Sequence, residues 1–426
     1  MKTVVKGNFI HTPTSSKLEI LRDRYMIIDN GVIVNNYPLL PDEYNGLEVI
    51  DYKEKFIIPS FVDLHLHSVQ YANIGLGLDL PLLPWLKTYT YPEEEKFNNL
   101  EYAKKVFSFF IRDLYNYGTL RSCIFSSLHK EATLLLMDML DNSGMAAYVG
   151  KTNMDRNSIE TLFETSEDSY ADTKEIIEKF HKINNRIKPI ITPRFIPSCS
   201  NELLEELGKL ASETSIGVQS HLNENLNEIE WVKELVPDSS NYLDAYKIRG
   251  LVRDSKTIMA HSIFSTDDEL KVMKDQNVFI AHCPSSNMNL TSGIMQTKRV
   301  MDMGINVGLG SDIAAGDSLS MNRVMVDAIK ASKLLSIYTE DSSHILDIAD
   351  VFYLATKGGG KFFDNTGSFE NGNHFDALII DDSSYNIREN PSLNERLEMF
   401  IYRGDDRNII ERYFNGKILD KPSFIK

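Results

Sequence analysis

The middle of the chain, residues 59–364, alternates short apolar runs with longer amphipathic stretches. Such runs predict buried strands, and amphipathic stretches such as Glu101–Tyr117, Ser169–Asn184 and Asn201–Thr214 predict helices. The predicted strands are Ile57–His65, Thr119–Phe125, Ala146–Gly150, Pro189–Phe195, Ile216–His221, Thr257–His261, Val278–His282 and Asn306–Asp312. Eight strands alternating with helices predict an α/β fold, a parallel (β/α)8 TIM-like barrel. An open doubly wound sheet is the alternative, but no G-x-G-x-x-G motif follows a strand to support it.

Both ends of the chain have the composition of strands. Lys2–Ile10 is rich in β-formers, and Tyr25–Val34 contains an Asn-Gly pair that is typical of a tight hairpin. Near the C-terminus, Phe375–Ile380 and the apolar run Met399–Tyr402 also predict strands. We therefore expect residues 1–58 and 365–426 to form one small β domain, a β-sandwich, beside a catalytic barrel of residues 59–364.

Charge and cysteine content exclude several classes of protein. The 426-residue chain has 45 Lys and Arg against 61 Asp and Glu, a formal net charge of -16. Such a surface repels phosphate, so neither nucleic acid nor an anionic membrane is an expected partner. No apolar run follows the N-terminal lysines, and none approaches the roughly 20 residues that span a bilayer. Three cysteines without a C-x-x-C pair indicate a reducing cytoplasm and no cysteine-based zinc site.

Histidines and carboxylates collect at the predicted C-terminal strand ends. The H-x-H pair His65 and His67 can face one side of a strand, because alternate strand residues do so. His221, His261 and Asp312 end other predicted strands, and in a barrel enzyme such ends converge on the active site. His282 occupies a similar position. The alternative, ordinary core histidines, requires five of the ten histidines in the chain to lie there by chance.

Imidazoles with one carboxylate suit zinc or ferrous iron and leave a position for water. A bound cation lowers the pKa of that water towards about 7, which supplies hydroxide at neutral pH. The strand Pro189–Phe195 has no lysine near its C-terminal end that could become a bridging carboxylated ligand. The pattern therefore predicts one metal ion rather than two.

Glu224 follows His221 by three residues, so a turn after the strand would place its carboxylate near the metal rather than on it. A carboxylate there can carry a proton from water to a substrate nitrogen. The alternative is a solvated glutamate in an acidic segment, since Glu228 and Glu230 follow. The neighbouring His221 favours the catalytic interpretation.

Together, H-x-H, the H-x-x-E of His221–Glu224, His261 and Asp312 resemble the metal-dependent amidohydrolase superfamily. Within it, the run Gly75–Phe97 resembles the segment after strand one in the guanine deaminase family. The segments that extend this similarity are His65–Tyr71, Ala281–Asn287, Gly310–Asp312, Ala355–Gly360 and Gly367–Glu370.

The resemblance implies roles for these residues. His65, His67, His221 and Asp312 would bind one zinc ion per subunit, with iron as the alternative, and His261 would lie beside it as a further member of the metal set. Glu224 would be the proton shuttle, assisted by Asp312. The substrate-binding set would be Gln70, Arg194, Phe195, His221, Glu224 and Asp312. The implied reaction is attack of hydroxide on C2 of guanine with protonation of N3, giving xanthine and ammonia, in a homodimer.

Other interpretations stay open at this point. Arg194 can instead form a structural ion pair, and Phe195 can be a core aromatic residue. An aminohydrolase of the same superfamily acting on a triazine, a pterin or another purine would have the same metal set. A non-catalytic barrel assembly protein is an alternative of a different class, although such a protein is expected to have lost ligands and none is missing here.

Overall fold

The computed structural model describes residues 2–180 and 186–424. Its strands, in chain order, are β1 (Lys2–Thr14), β2 (Lys17–Asp29), β3 (Val32–Tyr37), β4 (Val49–Pro59), β5 (Phe61–His67), β6 (Thr119–Phe125), β7 (Ala146–Gly150), β8 (Thr152–Asn153), β9 (Ile187–Pro189), β10 (Thr192–Pro193), β11 (Val218–Leu222), β12 (Thr257–His261), β13 (Phe279–His282), β14 (Asn306–Leu309), β15 (Ala377–Ile380), β16 (Ile409–Phe414) and β17 (Lys417–Ile418).

The α-helices, joined in places by short 3-10 and π turns, are α1 (Leu82–Trp85), α2 (Tyr91–Glu94), α3 (Leu100–Asn116), α4 (Lys130–Ser143), α5 (Ser166–Phe180), α6 (Asn201–Thr214), α7 (Leu226–Leu235), α8 (Tyr242–Lys247), α9 (Asp267–Asp275), α10 (Pro284–Asn289), α11 (Thr297–Asp302), α12 (Met321–Thr339), α13 (Ile348–Tyr353) and α14 (Leu393–Arg403). The predicted helix Ser169–Asn184 corresponds to α5, and residues 181–184 of that prediction lie outside the described residues. No helix of the described ranges is both long and apolar enough to cross a membrane.

Two four-stranded parallel sheets carry the middle of the chain, in the orders β5-β6-β7-β9 and β11-β12-β13-β14. A parallel bridge between Ile191 and Val218 joins them on one side. On the other side, the backbone N–H of Asp312 donates to the carbonyl of His65 at 2.8 Å. The parallel α/β prediction is therefore confirmed, and these two links bring the C-terminal ends of β5 and β11 into one neighbourhood.

A separate seven-stranded mixed sheet contains both ends of the chain, in the order β17-β16-β15-β4-β1-β2-β3. The predicted hairpin turn at Asn30 and Gly31 is present between β2 and β3, with positive φ at both residues, as this tight turn requires. The sheet meets the parallel strands at Ser60, which separates β4 from β5 and whose N–H donates to the carbonyl of Asp376.

The sequence misplaced several element boundaries. The predicted strand Ile57–His65 spans two strands in different sheets, because β4 pairs with β1 and β15 of the terminal sheet. The predicted strand Pro189–Phe195 is divided into β9 and β10, whose prolines lack the N–H that a continuous ladder needs. The predicted strand Asn306–Asp312 ends at Leu309, so Asp312 lies on the loop that follows.

One prediction was wrong in kind. Met399–Tyr402 is not a strand but the end of α14. Ser392 and Glu395 form a capping box at the start of this helix, and its buried residues recur at helical spacing. A four-residue apolar run cannot reveal that spacing, which becomes visible only over the whole helix.

Candidate metal and substrate site

The predicted donor residues meet at the C-terminal ends of the parallel strands. The Nε2 atoms of His67 and His221 are 3.2 Å apart. One carboxylate oxygen of Asp312 lies 3.3 Å from His65 Nε2 and 3.4 Å from His67 Nε2, and the other lies 3.8 Å from His261 Nε2. All five side chains are largely or fully buried. The structure thus brings together every residue of the predicted metal set.

Backbone geometry allows this convergence. A Cβ atom on Gly310 would lie 2.9 Å from both Cys283 Sγ and His65 Cβ, so only glycine lets the loop after β14 approach β5 this closely. Asp312 and His261 both have positive φ, at 47° and 69°. Such angles are uncommon outside glycine and are concentrated at functional sites.

Hydrogen bonds orient two of the imidazoles towards the centre. His221 Nδ1 lies 2.5 Å from the carbonyl oxygen of Arg194, and His261 Nδ1 lies 2.8 Å from Asn287 Oδ1. Because these oxygens only accept, each Nδ1 carries a proton. Burial lowers the pKa of His221, so its Nε2 keeps a lone pair. Among the described residues, neither His65 Nε2 nor His261 Nε2 has a hydrogen-bond partner, although both atoms are buried. Lone pairs that face one another in a buried site fit a cation between them.

The charges of this cluster favour cation binding. Burial opposes ionisation of Asp312, but His65 and His261 outweigh it and hold the pKa of that carboxyl well below its usual range. Burial, reinforced by neighbouring imidazoles, lowers the pKa of His67 and His221 well below 6.5. Neutral imidazoles beside a charged carboxylate are the forms that bind zinc or iron.

Cys283 was missed by the sequence analysis. Cys283 forms a second group of potential metal ligands with His65, His261 and Asp312. The sulfur and the ligand atoms of these three residues all lie within 4.8 Å of one another. Burial raises the pKa of this thiol well above 9, which favours the neutral thiol over the thiolate that metals bind. The only signal in the sequence that could have indicated Cys283 is its position directly after His282. His282 itself belongs to neither donor group of the described residues.

Two lysines on or next to the parallel strands have partners outside the donor cluster. Lys188 lies on β9, but its Nζ is 3.4 Å from the Tyr148 hydroxyl in a different cavity. Lys151, which follows β7, is buried and paired with Glu164.

Glu224 is not a solvated glutamate. It is 4% exposed and lines the same cavity as His67, His221 and Asp312. Its Oε2 lies 3.6 Å from His261 Nε2, and the Ser292 hydroxyl donates to Oε1 at 3.4 Å. Burial, with smaller contributions from nearby carboxylates, raises the pKa of Glu224 to about 7. A carboxyl group balanced near neutrality can both accept and release a proton.

Glu228, which follows Glu224 in the same acidic segment, is not solvated either. Glu228 is 1% exposed, and its carboxylate accepts hydrogen bonds from the Tyr242 hydroxyl and from the backbone of Asn225. These contacts hold the start of α7, directly after Glu224, in place. Glu230, by contrast, is exposed as expected.

The predicted substrate-binding residues line the cavity above the donor cluster. Gln70, Arg194 and Phe195 lie in its wall, and apolar side chains complete the lining: Leu82, Trp85, Leu86, Leu290 and Ala315. Arg194 also forms a buried ion pair with Glu94 at 2.6 Å, as the alternative interpretation expected. Arg194 is therefore both a partner in a structural ion pair and a part of the cavity wall. Glu94 was missed, although it lies within the Gly75–Phe97 run.

A model of the amidohydrolase family matches residues 56–419 of the chain, which includes every residue of this cluster. The chain belongs to the amidohydrolase family. The family resemblance inferred from the H-x-H, H-x-x-E, His261 and Asp312 pattern is thereby confirmed, and membership implies a TIM-barrel-like α/β fold. Members of the family are typically metal-dependent, in agreement with the donor cluster.

This amidohydrolase is similar to proteins of known activity along nearly its whole length. It is 38% identical to a guanine deaminase of Dictyostelium discoideum, over 96% of each chain. It is 32% identical to a guanine deaminase of Escherichia coli, over 97% of each chain. It superimposes with a TM-score of 0.96 on the crystal structure of a guanine deaminase from C. acetobutylicum with bound guanine in the active site, at 48% identity, covering 99% of this chain and 100% of the other.

Proposed function

We propose that this amidohydrolase catalyses the hydrolytic deamination of guanine to xanthine and ammonia. The observation that carries the proposal is the near-identity in fold with a guanine-bound guanine deaminase, at 48% sequence identity over the whole chain. Curated guanine deaminases of two kingdoms give independent support at 38% and 32% identity.

The donor cluster fits one divalent ion. His65, His67, His221 and Asp312 would hold it, with His261 beside it, and two of these imidazoles are already oriented through Nδ1 by hydrogen bonds. A divalent ion bound there supplies Lewis acidity and lowers the pKa of a coordinating water, so that a nucleophile is present near neutral pH. We propose zinc as the ion, with ferrous iron as the alternative for the same donors.

Glu224 would move the proton. Its position 3.6 Å from His261 Nε2, in the wall of the cavity that would hold the base, supports this role. It would accept a proton from a water in the cluster and deliver it to ring nitrogen N3 as oxygen adds to C2. Asp312 would accept the second proton of the water and return it to the amino group, which leaves as ammonia.

Gln70 and Arg194 would bind the polar edge of the purine. Arg194 can donate to a ring carbonyl, and Gln70 offers a polar contact beside it. Phe195, which is 6% exposed, would pack against the base with the apolar wall of Leu86 and Trp85.

A spectrophotometric comparison of guanine, adenine, cytosine and melamine tests the proposed substrate. We expect release of ammonia from guanine at a kcat/KM at least about 100-fold above the others, because the site's buried polar groups are left unpaired by the wrong ring edge. Turnover of adenine, cytosine or melamine with none of guanine would overturn the proposal. Elemental analysis of the purified protein tests the metal: near-stoichiometric zinc or iron is expected, and the absence of both would favour a non-catalytic protein.

Four further expectations stay predictions: closure of the two parallel sheets into one eight-stranded barrel, a sandwich-like terminal domain of residues 1–58 and 365–426, a homodimer, and a cytoplasmic location. Light scattering of the purified protein measures the oligomeric state directly.

A further inference from the structure

Glu94 connects the two polar residues of the substrate cavity. It is the last residue of α2 and is 3% exposed. Its Oε1 accepts a hydrogen bond from Gln70 Nε2 at 3.0 Å, and its Oε2 accepts one from Arg194 Nη1 at 2.6 Å. Gln70 and Arg194 are themselves 2% and 4% exposed. One buried carboxylate therefore joins the turn that follows β5, the loop after β10 and the segment that covers the cavity.

The contact with Glu94 determines which way the Gln70 amide faces. A carboxylate only accepts, so the amide nitrogen must point towards Glu94 and the amide oxygen must point away from it. Among the described residues, none donates a hydrogen bond to that oxygen, while Gln70 lines the cavity. Gln70 is thus fixed as a hydrogen-bond acceptor for whatever the cavity holds.

The same contact leaves Arg194 as a donor. A guanidinium has five N–H groups, and the side chain of Arg194 gives one of them to Glu94. The Tyr91 ring lies 5.3 Å from the guanidinium carbon and packs against it. With one edge held by Glu94 and one face by Tyr91, the remaining N–H groups have a fixed direction in the cavity wall.

We propose that Glu94 is the positioning residue that sets substrate specificity, because it presents an acceptor at Gln70 and a donor at Arg194. This pair matches a ring that carries an N–H beside a carbonyl, as a 6-oxopurine does. A 6-aminopurine carries the reverse pattern, an unprotonated nitrogen beside an amino group, and would face acceptor with acceptor and donor with donor. The inference rests on the proposed function and adds the group that selects the ring edge.

Glu94→Gln tests this proposal, since the new side chain has nearly the same shape but brings an N–H group to face Gln70. The Gln70 amide then turns to accept from it and offers its nitrogen to the cavity. We expect the KM for guanine to rise about 10-fold, as for loss of a hydrogen bond with a buried group, and kcat to change less than about 3-fold. Bound metal should stay at the wild-type level.

Glu93→Gln is the matched control. Glu93 is the preceding residue of the same helix and is also buried, but its carboxylate contacts Tyr102 and Lys96 rather than the cavity wall. Any general loosening of this segment affects both variants, whereas only Glu94→Gln should change the guanine KM.

Two inhibitors separate recognition of the ring edge from general damage. Hypoxanthine carries the carbonyl and the N–H but lacks the 2-amino group, and unsubstituted purine lacks both polar groups. We expect Glu94→Gln to raise the inhibition constant of hypoxanthine about 10-fold and that of purine less than about 2-fold. Equal effects on the two inhibitors would assign Glu94 a structural role only and overturn the proposal.

The outcomes distinguish this proposal from the proposed function. If the wild-type protein releases no ammonia from guanine, both fail together. If the wild type deaminates guanine and the Glu94 and Glu93 variants behave alike, only the role of Glu94 is wrong. Should Glu94→Gln not fold, Glu94→Asp takes its place: it keeps the charge beside Arg194 but is too short to reach Gln70 as well, and a wild-type KM in this variant would also overturn the proposal.

Discussion

His221 Nδ1 lies 2.5 Å from the carbonyl oxygen of Arg194, so one residue contributes to two parts of the site. The backbone of Arg194 orients an imidazole of the donor cluster, and its guanidinium lines the cavity above that cluster. The residue thereby fixes the distance between the donor cluster and the cavity wall. Because backbone and side chain act separately, mutation can separate the two roles.

Replacing Arg194 by methionine should weaken substrate binding without loss of metal. The carbonyl that orients His221 belongs to the backbone and remains, while the donor in the cavity is lost and Glu94 loses its charged partner. We expect kcat/KM for guanine to fall about 100-fold, corresponding to about 3 kcal/mol for a buried charged contact. Steady-state kinetics and elemental analysis on the same preparation check this, and loss of metal in the variant would contradict the separation.

Replacing Glu224 by glutamine should leave metal binding intact and abolish most turnover. The amide fills the same buried space but cannot take up and release a proton, a step whose loss costs about 100- to 10,000-fold in rate. Glu230→Gln, an exposed substitution on the following helix, is the control and should retain wild-type kcat. If Glu224→Gln kept near-normal activity, another group would have to carry the proton.

Among the histidines at the strand ends, we expect only those of the donor groups to be required for metal binding. His221→Asn should lose most of the bound metal, because it removes an imidazole whose Nε2 lies 3.2 Å from that of His67. His282→Asn is the matched control, since His282 ends β13 of the same sheet, is buried and lies outside both donor groups. Elemental analysis of the two variants gives the comparison; equal metal loss in both would mean that the effect is on folding.

Removal of the metal by a chelator should abolish activity. The chemistry of the donor atoms should determine which ion restores it. We expect zinc or ferrous iron to restore guanine turnover and magnesium not to, because magnesium prefers oxygen ligands and this cluster is rich in imidazole nitrogen. Initial rates after dialysis against chelator and addition of each ion test this. Full recovery with magnesium alone would be inconsistent with the proposed site.

His11, far along the chain from the donor residues, should make stability depend on pH. Burial lowers the pKa of this imidazole from 6.5 to about 4, and its Nδ1 accepts a hydrogen bond from the backbone N–H of Phe369. Because the folded pKa lies below the unfolded one, the contribution of His11 is complete above pH 6.5 and is lost as the pH falls towards 4.

Between pH 7.5 and pH 5, protonation of His11 in the unfolded state should lower the free energy of unfolding of the wild type by about 2 kcal/mol. A residue that does not titrate causes no such decrease. His11→Asn should therefore show a smaller drop in thermal midpoint over this range than the wild type, by about 2–4 °C. Calorimetric scans at one fixed rate measure the difference, with His344→Asn as control because His344 lies beside Asp341 in a different part of the chain. The same drop in His11→Asn and wild type would show that His11 does not titrate on unfolding.

Much of the site was predictable because its signals are local in sequence. Alternation along β5 makes His65 and His67 neighbours, and strand ends in a parallel α/β fold meet at one edge, so His221, His261 and Asp312 could be assigned before any contact was known. The same logic located Thr119–Phe125, Ala146–Gly150 and Thr257–His261 as strands with the correct bounds.

Other features were decided only by tertiary structure. Glu94 is separated from Arg194 by 100 residues, and no pattern in either segment indicates that the two side chains meet. The sequence around Cys283 and Glu228 does not distinguish them from structural or solvated residues. The tertiary structure buries Cys283 beside His261 and Glu228 beside Tyr242, and these contacts determine their chemistry. Met399–Tyr402 could not be assigned correctly from four residues. Strands and helices differ in the spacing at which buried residues recur, and this spacing is visible only over a longer segment.

The sequence by itself therefore determined which residues are candidates to bind a metal and to move a proton, since residue type and strand position indicate both. The tertiary structure decided how the cavity wall faces its ligand, because the direction of the Gln70 amide and of the Arg194 guanidinium depends on Glu94, a partner brought from another part of the chain. Hydrogen bonds between distant segments are a product of packing, which local periodicity does not encode.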